Sequence, residues 1–129
     1  MSAVIAICLG ACAGALLRWQ LGLWLNQAGA WMPWGTLAAN LIGGYLIGLV
    51  LAVVHHHPQL DPMWRLLLVT GFLGALTTFS SFSAEVVEML LHQRYAQATS
   101  TAALHLAGSL LLTWAGIRTM GLVLAQRAG

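Results

Sequence analysis

The chain contains no lysine and has only eight side chains of fixed charge: five arginines, two glutamates and one aspartate. Soluble domains are about 25% charged; here the share is 6%, against 60% hydrophobic. So little charge cannot clothe a compact surface in water, and the excess apolar area is read as facing lipid. A net charge of +2 scattered over 129 residues gives no footprint for nucleic acid, which is recognised through clustered Lys and Arg. Only two cysteines occur, Cys8 and Cys12, one helical turn apart in an apolar run. Bridging needs Cβ atoms directed at each other, so both are read as small packing residues. No nucleophile with a positioned base is visible, which argues against an enzyme. Ala11-Cys12-Ala13 resembles a signal-peptide cleavage site but lacks a positive segment before it, and the first apolar stretch is expected to be retained as a span.

What the sequence does contain is long apolar runs. A spanning helix takes roughly 20 such residues, so residues 1–129 are read as a single domain of four transmembrane helices, all-α and integral to the membrane. The first runs from Ser2 to about Leu25, and Asn26–Gly29 with Pro33 marks the turn. The second, Met32 to Val54, holds 23 residues without a formal charge and closes on His55-His56-His57-Pro58. The third has 19 uncharged residues from Leu66 to Ala84 and continues through Leu91; the fourth runs from Ala96 to about Leu124. Trp19, Trp24, Trp31, Trp34 and Trp64 fall near the expected ends, where indole rings favour the interface. Arg65 and Arg127 are expected on one side of the membrane and Arg94 on the other. This balance leaves little to fix the direction of insertion, so an antiparallel pair with dual topology is expected, and a homodimer is the default assembly. Gly10-x-x-x-Gly14 and Gly44-x-x-x-Gly48 point to close helix packing.

In lipid every polar group needs a partner, so polar residues deep in a span carry the information. The second span has Thr36 and Asn40 one turn apart; the fourth has Thr101, His105 and Ser109, each four residues on. The third, from Gly71 to Ser83, packs five hydroxyls and two glycines into thirteen residues. Glycine weakens a helix, and Ser and Thr compete for its backbone, so this helix is expected to break near its middle, between about Gly74 and Thr78. Carbonyls freed there could hold a cation such as Na⁺. Phe79 and Phe82 share a helix face, as do Ser80 and Ser83. Positive ring edges beside hydroxyl and amide donors form a wall that attracts small anions.

These residues bring the chain close to a known family. Gly14-Ala15-x-x-Arg18, Pro33-x-Gly35-Thr36-x-x-x-Asn40-x-x-Gly43, Gly71-x-x-Gly74-x-x-Thr77-Thr78-Phe79-Ser80-x-Phe82-Ser83-x-Glu85 and His105-x-x-Gly108-Ser109 together resemble the Fluc/CrcB fluoride channels along nearly the whole length. The resemblance implies an antiparallel dual-topology homodimer in the bacterial inner membrane, with two fluoride pores and one central structural Na⁺. It implies that backbone carbonyls of Gly74 and Thr77 hold the Na⁺, and that Asn40, Phe79 and Phe82 contact fluoride. Ser80, Ser83 and Ser109 would continue a polar track, with Thr36 and His105 near it, Glu85 beside it, and Arg18 facing an aqueous vestibule. Ala75 and Ser81 depart from the family's usual Gly and Thr, which leaves the carbonyl argument standing.

Plainer readings exist for each residue. Arg18 would snorkel, the hydroxyls would satisfy their own helix, the phenyl rings would only pack, and Asn40 would be interhelical glue. His105 could be a satisfied core residue, while Glu85 is a functional candidate by default. The His55-His56-His57 triplet lacks a defined fourth ligand and reads as a solvated turn. Two other functions compete. A small dual-topology multidrug efflux transporter would want a carboxylate deep in its first span, where none occurs; a non-conducting assembly subunit would have no use for the paired phenylalanines.

Overall fold

The computed structural model describes residues 2–128, with side chains through residue 126. Arg127, assigned a side of the membrane from sequence, has its side chain outside the described residues. The fold is all-helical, with no strand among the described residues. Four helical paths are long and apolar enough to cross a membrane: Ala3–Leu25, Trp34–His56, Pro62–Leu91 and Tyr95–Gln126.

Helix α1 (Ala3–Leu25) starts where the Ser2 hydroxyl accepts the Ile5 N–H, and ends where Asn26 leaves helical geometry. The Asn26 side chain then accepts from Gly35 N at 2.7 Å, tying the end of α1 to the start of α2 (Trp34–His56). A Cβ on Gly35 would stand 2.9 Å from Gly22 Cα, so only glycine allows this approach. Asp61 caps the next helix through Met63 N at 2.9 Å, with Pro62 in the first turn, where its missing N–H costs nothing. That cap corrects the expected start of the third span: α3 begins at Pro62, four residues before Leu66.

A π-helical stretch, Leu66–Leu73, follows α3 (Pro62–Arg65) and leads into the short α4 (Gly74–Leu76). Thr77 (φ −80°, ψ 152°) and Thr78 (φ −149°, ψ 112°) are extended, and α5 (Phe79–Leu91) begins after them. Gln93, with φ 59°, turns the chain into α6 (Tyr95–Ala128). At 1.5 Å per residue, α6 is about 50 Å long and exceeds the roughly 30 Å hydrocarbon core.

Small residues set the packing. Gly10 and Gly14 bring α1 against the backbone of the π-helical stretch, and a Cβ on Gly71 would meet Gly10 Cα at 3.0 Å. Gly44 and Gly48 do the same for α2 on α6, where a Cβ on Gly48 would run into the Thr113 carbonyl. Two apolar clusters result, one around Ala39, Leu73 and Leu76, the other around Leu37, Met89 and Ala98. Large apolar side chains cover the outside, including Leu106, Leu110 and Trp114 on α6. In water such a surface would aggregate; in lipid it is the expected exterior.

Candidate functional site

The extended pair Thr77-Thr78 removes three carbonyls from the helical ladder. In a continuous helix Thr78 N–H would donate to Gly74 O; here it donates to Asn40 Oδ1 at 2.7 Å. Ser81 N–H would reach Thr77 O, but donates to the Thr78 hydroxyl at 3.1 Å, an N-cap of α5. Ala75 O, the usual acceptor for Phe79, instead takes a bond from Arg18 Nε at 2.9 Å. Gly74 O and Thr77 O are thus released by named diversions, and both residues line the same cavity.

That cavity, about 480 Å³, is walled by α2, the interrupted third path and α6. Asn40, Phe79, Phe82, His105 and Ser109 meet there. Phe79 and Phe82 stand edge to face with centroids 5.4 Å apart, and Phe82 lies 4.6 Å from the His105 ring. Asn40 Nδ2 donates to Thr78 O at 3.1 Å and reaches His105 Nδ1 at 3.0 Å. His105 is only 5% exposed, whereas Phe79 is 78% exposed in the single chain.

A second cavity, about 460 Å³, holds Arg18, Trp19, Asn26, Thr36, Ser81 and Glu85. Thr36 Oγ1 donates to Glu85 Oε1 at 2.6 Å, and Glu85 Oε2 is buried without a partner among the described residues. A third, about 400 Å³, opens among Gln27, Trp31, Glu88 and Arg94 at the ends of the helices. Glu85 lines both the second and the third, and Thr78 lines both the first and the second. Asn26 also lines the second and the third, so the three cavities adjoin in series, the first and second at Thr78 and the second and third at Asn26 and Glu85.

The residues singled out from the sequence stand in different surroundings. Thr36 and Asn40, one turn apart, line different cavities: Thr36 bonds to Glu85 and Asn40 to Thr78. Their directions split because each polar group takes the nearest partner that lipid cannot supply. Thr101 is fully buried against Met89 Sδ, 3.6 Å away, and joins no cavity with His105. Ser80 is exposed and Ser83 half-buried, and neither lines the three cavities. Arg18 lines the second cavity but also holds a backbone carbonyl. Among the described residues no group of three His, Cys, Asp or Glu could hold a metal, and His55, His56 and His57 are exposed. Composition and spacing do not single out Thr78, although it contacts two cavities and caps α5. A signal for it exists: a threonine three residues before Ser81, at the head of an amphipathic segment, is an N-cap pattern.

The profile of the family described as CrcB-like protein, Camphor Resistance (CrcB), matches residues 5–117. The chain belongs to this family. A protein of Albidiferax ferrireducens named fluoride-specific ion channel FluC is 67% identical over 125 residues, covering 97% of this chain and 95% of its own length. Proteins of the same name from Variovorax paradoxus (66% identical, 91% of this chain and 93% of the relative) and Paracidovorax citrulli (64%, 90% and 91%) are similar along nearly all of both chains. These CrcB relatives are bacterial, and four apolar helices make this member a multi-pass membrane protein.

Proposed function

We propose that this chain is a fluoride channel that lets the anion leave the cytoplasm passively, down its gradient. The observation that carries the reading is identity of 67% over 97% of the chain to a protein named as a fluoride-specific ion channel. Such relatives are channels and not enzymes, and this chain is likewise not an enzyme. Residues 1–129 would act as one channel domain.

The cavities in series supply a route. Arg18 would gather anions in the second cavity, beside Thr36 and Glu85. Asn40, Phe79 and Phe82 would line the anion path in the first, where ring edges face an anion favourably. Ser109 would continue it, with His105 beside it, and Ser80 and Ser83 would join from α5 in the assembled protein. Among the described residues, no Arg, Asp or Glu lines the first cavity. Selectivity there would come from uncharged donors able to replace a hydration shell.

The assembly would be an antiparallel, dual-topology homodimer with two pores. Supporting this, the first cavity lies open on the side of a single chain, with Phe79, Leu106 and Leu110 at least 65% exposed around it. A structural Na⁺ fits the donor set, because Gly74 O and Thr77 O are released oxygens and hard cations take oxygen ligands. When bound, the ion would supply fixed positive charge at the interrupted backbone. Gly74 and Thr77 of both copies would hold it.

Fluoride efflux from liposomes containing the purified protein tests the reading, with a K⁺ ionophore releasing the opposing voltage and chloride-loaded liposomes as comparison. Rapid fluoride release without matching chloride release is expected. No release from folded, reconstituted protein would sink it and revive the multidrug efflux alternative, which α1 disfavours because it carries no carboxylate.

A further inference from the structure

We propose that the third cavity seats the headgroup of a membrane lipid carrying both a primary ammonium and a phosphate, with Glu88 receiving the ammonium and Arg94 the phosphate. The inference goes beyond the channel reading, because it concerns a ligand other than the anion.

The cavity lies between the turn joining α1 to α2, which lends Gln27 and Trp31, and the end of α5, which lends Glu88, with Arg94 just past it. Trp24, Trp31 and Trp34 are exposed around that turn, and indole rings settle at the headgroup level of a bilayer. On α5, Ala84, Val87, Glu88 and Leu91 are all exposed. They fall at i, i+3, i+4 and i+7, which is one face of a helix. Glu88 therefore stands in an otherwise apolar stripe that looks outward into lipid. A carboxylate in such a stripe is costly unless a cation meets it.

The chain itself supplies no such cation. Glu88 bonds only through its carbonyl, which accepts from His92, and Arg94 only through its backbone, where its N–H donates to Met89 O at 2.8 Å. Gln93, with φ 59°, folds the chain back between them, so residues on either side of the helix end reach one space of about 400 Å³. Their charged ends, opposite in sign, pair with nothing among the described residues. Glu85 lines the same cavity and adds to its negative side, and like charges three residues apart repel until a cation joins them. A cavity at headgroup level with unpaired charges of both signs complements a zwitterion. A primary ammonium has three N–H donors for carboxylate oxygens and forms charge-assisted bonds; a choline has no N–H to give. Phosphatidylethanolamine combines that ammonium with a phosphate for Arg94 and tails for the stripe on α5.

The test is native mass spectrometry of the full-length protein, purified in detergent and mixed with equal amounts of phosphatidylethanolamine and phosphatidylcholine bearing the same acyl chains. The two lipids share the phosphate and differ in the amine, so only the carboxylate end can tell them apart. Wild type is expected to retain the ethanolamine lipid about threefold over the choline lipid, within the range of a partly exposed ion pair. Glu88→Gln should bring that ratio to about one, while Arg94→Gln should weaken retention of both lipids about threefold. Arg94→Lys, which keeps the charge, should restore it, and Arg65→Gln, at the other end of the third path, should change nothing. All three side chains are exposed, so the variants should melt like wild type. Equal retention of the two lipids by wild type, or a preference that survives Glu88→Gln, would overturn the proposal. So would displacement of the bound lipid by an equal concentration of glycerophosphoethanolamine, which has the head without the tails. None of these readouts uses fluoride, so the lipid site and the channel reading fail separately.

Discussion

Replacing Thr78 with valine asks whether the extended pair keeps carbonyls available for a cation. Valine keeps the volume of threonine, so the 8%-exposed site loses its hydroxyl without gaining a void. Three interactions go: the 3.1 Å bond from Ser81 N–H, the 3.0 Å bond to Ser81 Oγ and the 3.2 Å contact with Ser80 Oγ. Loss of a threonine N-cap costs about 1 kcal/mol. The orphaned Ser81 N–H then turns to the acceptor a helix would give it, Thr77 O, withdrawing one of the two oxygens proposed to hold Na⁺. Na⁺ binding must reverse that capture in each copy. At about 1 kcal/mol per copy the penalty is about 2 kcal/mol for a dimer, or about 30-fold in affinity. The assay is the thermal midpoint of purified protein across a NaCl titration at constant ionic strength, with N-methylglucamine as the replacing cation. Stabilisation by a ligand of the folded state follows its concentration relative to Kd, so the variant's curve should lie about 30-fold higher in Na⁺. Curves that superimpose would refute the carbonyl argument. A wild-type midpoint indifferent to Na⁺ would remove the cation site altogether.

Phe79→Ile and Phe82→Ile should each lower fluoride flux about fivefold or more while the dimer still forms, with Phe82 the more sensitive because it contacts two rings; each aromatic contact is worth about 1 kcal/mol. Flux in liposomes and size-exclusion chromatography check both, and unchanged flux in both variants would refute the ring assignment. Gly48→Leu should abolish the folded state in detergent, since its Cβ meets the Thr113 carbonyl and Ile117 N at 3.0 Å, whereas Gly121→Leu, with open space around it, should melt like wild type. Arg18→Leu should lower the thermal midpoint even without Na⁺, because Ala75 O loses a bond from a charged donor worth about 1.5–3 kcal/mol. A midpoint unchanged by that substitution would show that the Arg18 bond contributes nothing to holding the chain.

The four spans were legible because lipid leaves few choices: a run of about 20 apolar residues must be helical to satisfy its own backbone. Boundaries shifted where a local cap outweighed hydropathy. Asp61-Pro62 starts α3 ahead of the apolar run, and the second helix runs on through His55 and His56, the latter returning Nδ1 to Ala52 O at 2.8 Å. The glycine motifs were legible as packing signals, but not which helix each would meet; Gly10 serves the π-helical stretch and Gly48 serves α6. The π-helical geometry of Leu66–Leu73 had no visible cue, since uniformly apolar residues accept either winding. Within the candidate site, residue types were readable and pairings were not. Nothing local tells that Thr36 turns to Glu85, 49 positions on, while Asn40 turns to Thr78, 38 positions on.

Those long-range pairings explain why the extended residues can exist at membrane depth. Unpaired backbone groups in hydrocarbon cost several kcal/mol each, so two extended residues could not persist on local propensity. Asn40 meets this cost by substituting for the helix: its oxygen takes the Thr78 N–H and its nitrogen serves the Thr78 carbonyl. Three residues further along α2, Gly43 makes the room, because a Cβ there would run into the Thr77 methyl. One face of α2 thus supplies both the space and the bonds that the third path needs. The same amide nitrogen lies 3.0 Å from His105 Nδ1, so the extended backbone and the imidazole are held by a single side chain. A substitution that rotates Asn40 by one rotamer should disturb the backbone of the third path and the imidazole on α6 together. Loss of Na⁺-dependent stability and a change in the His105 ring's ¹⁵N signals would then rise in step across Asn40 variants, whereas independent supports would let them vary separately.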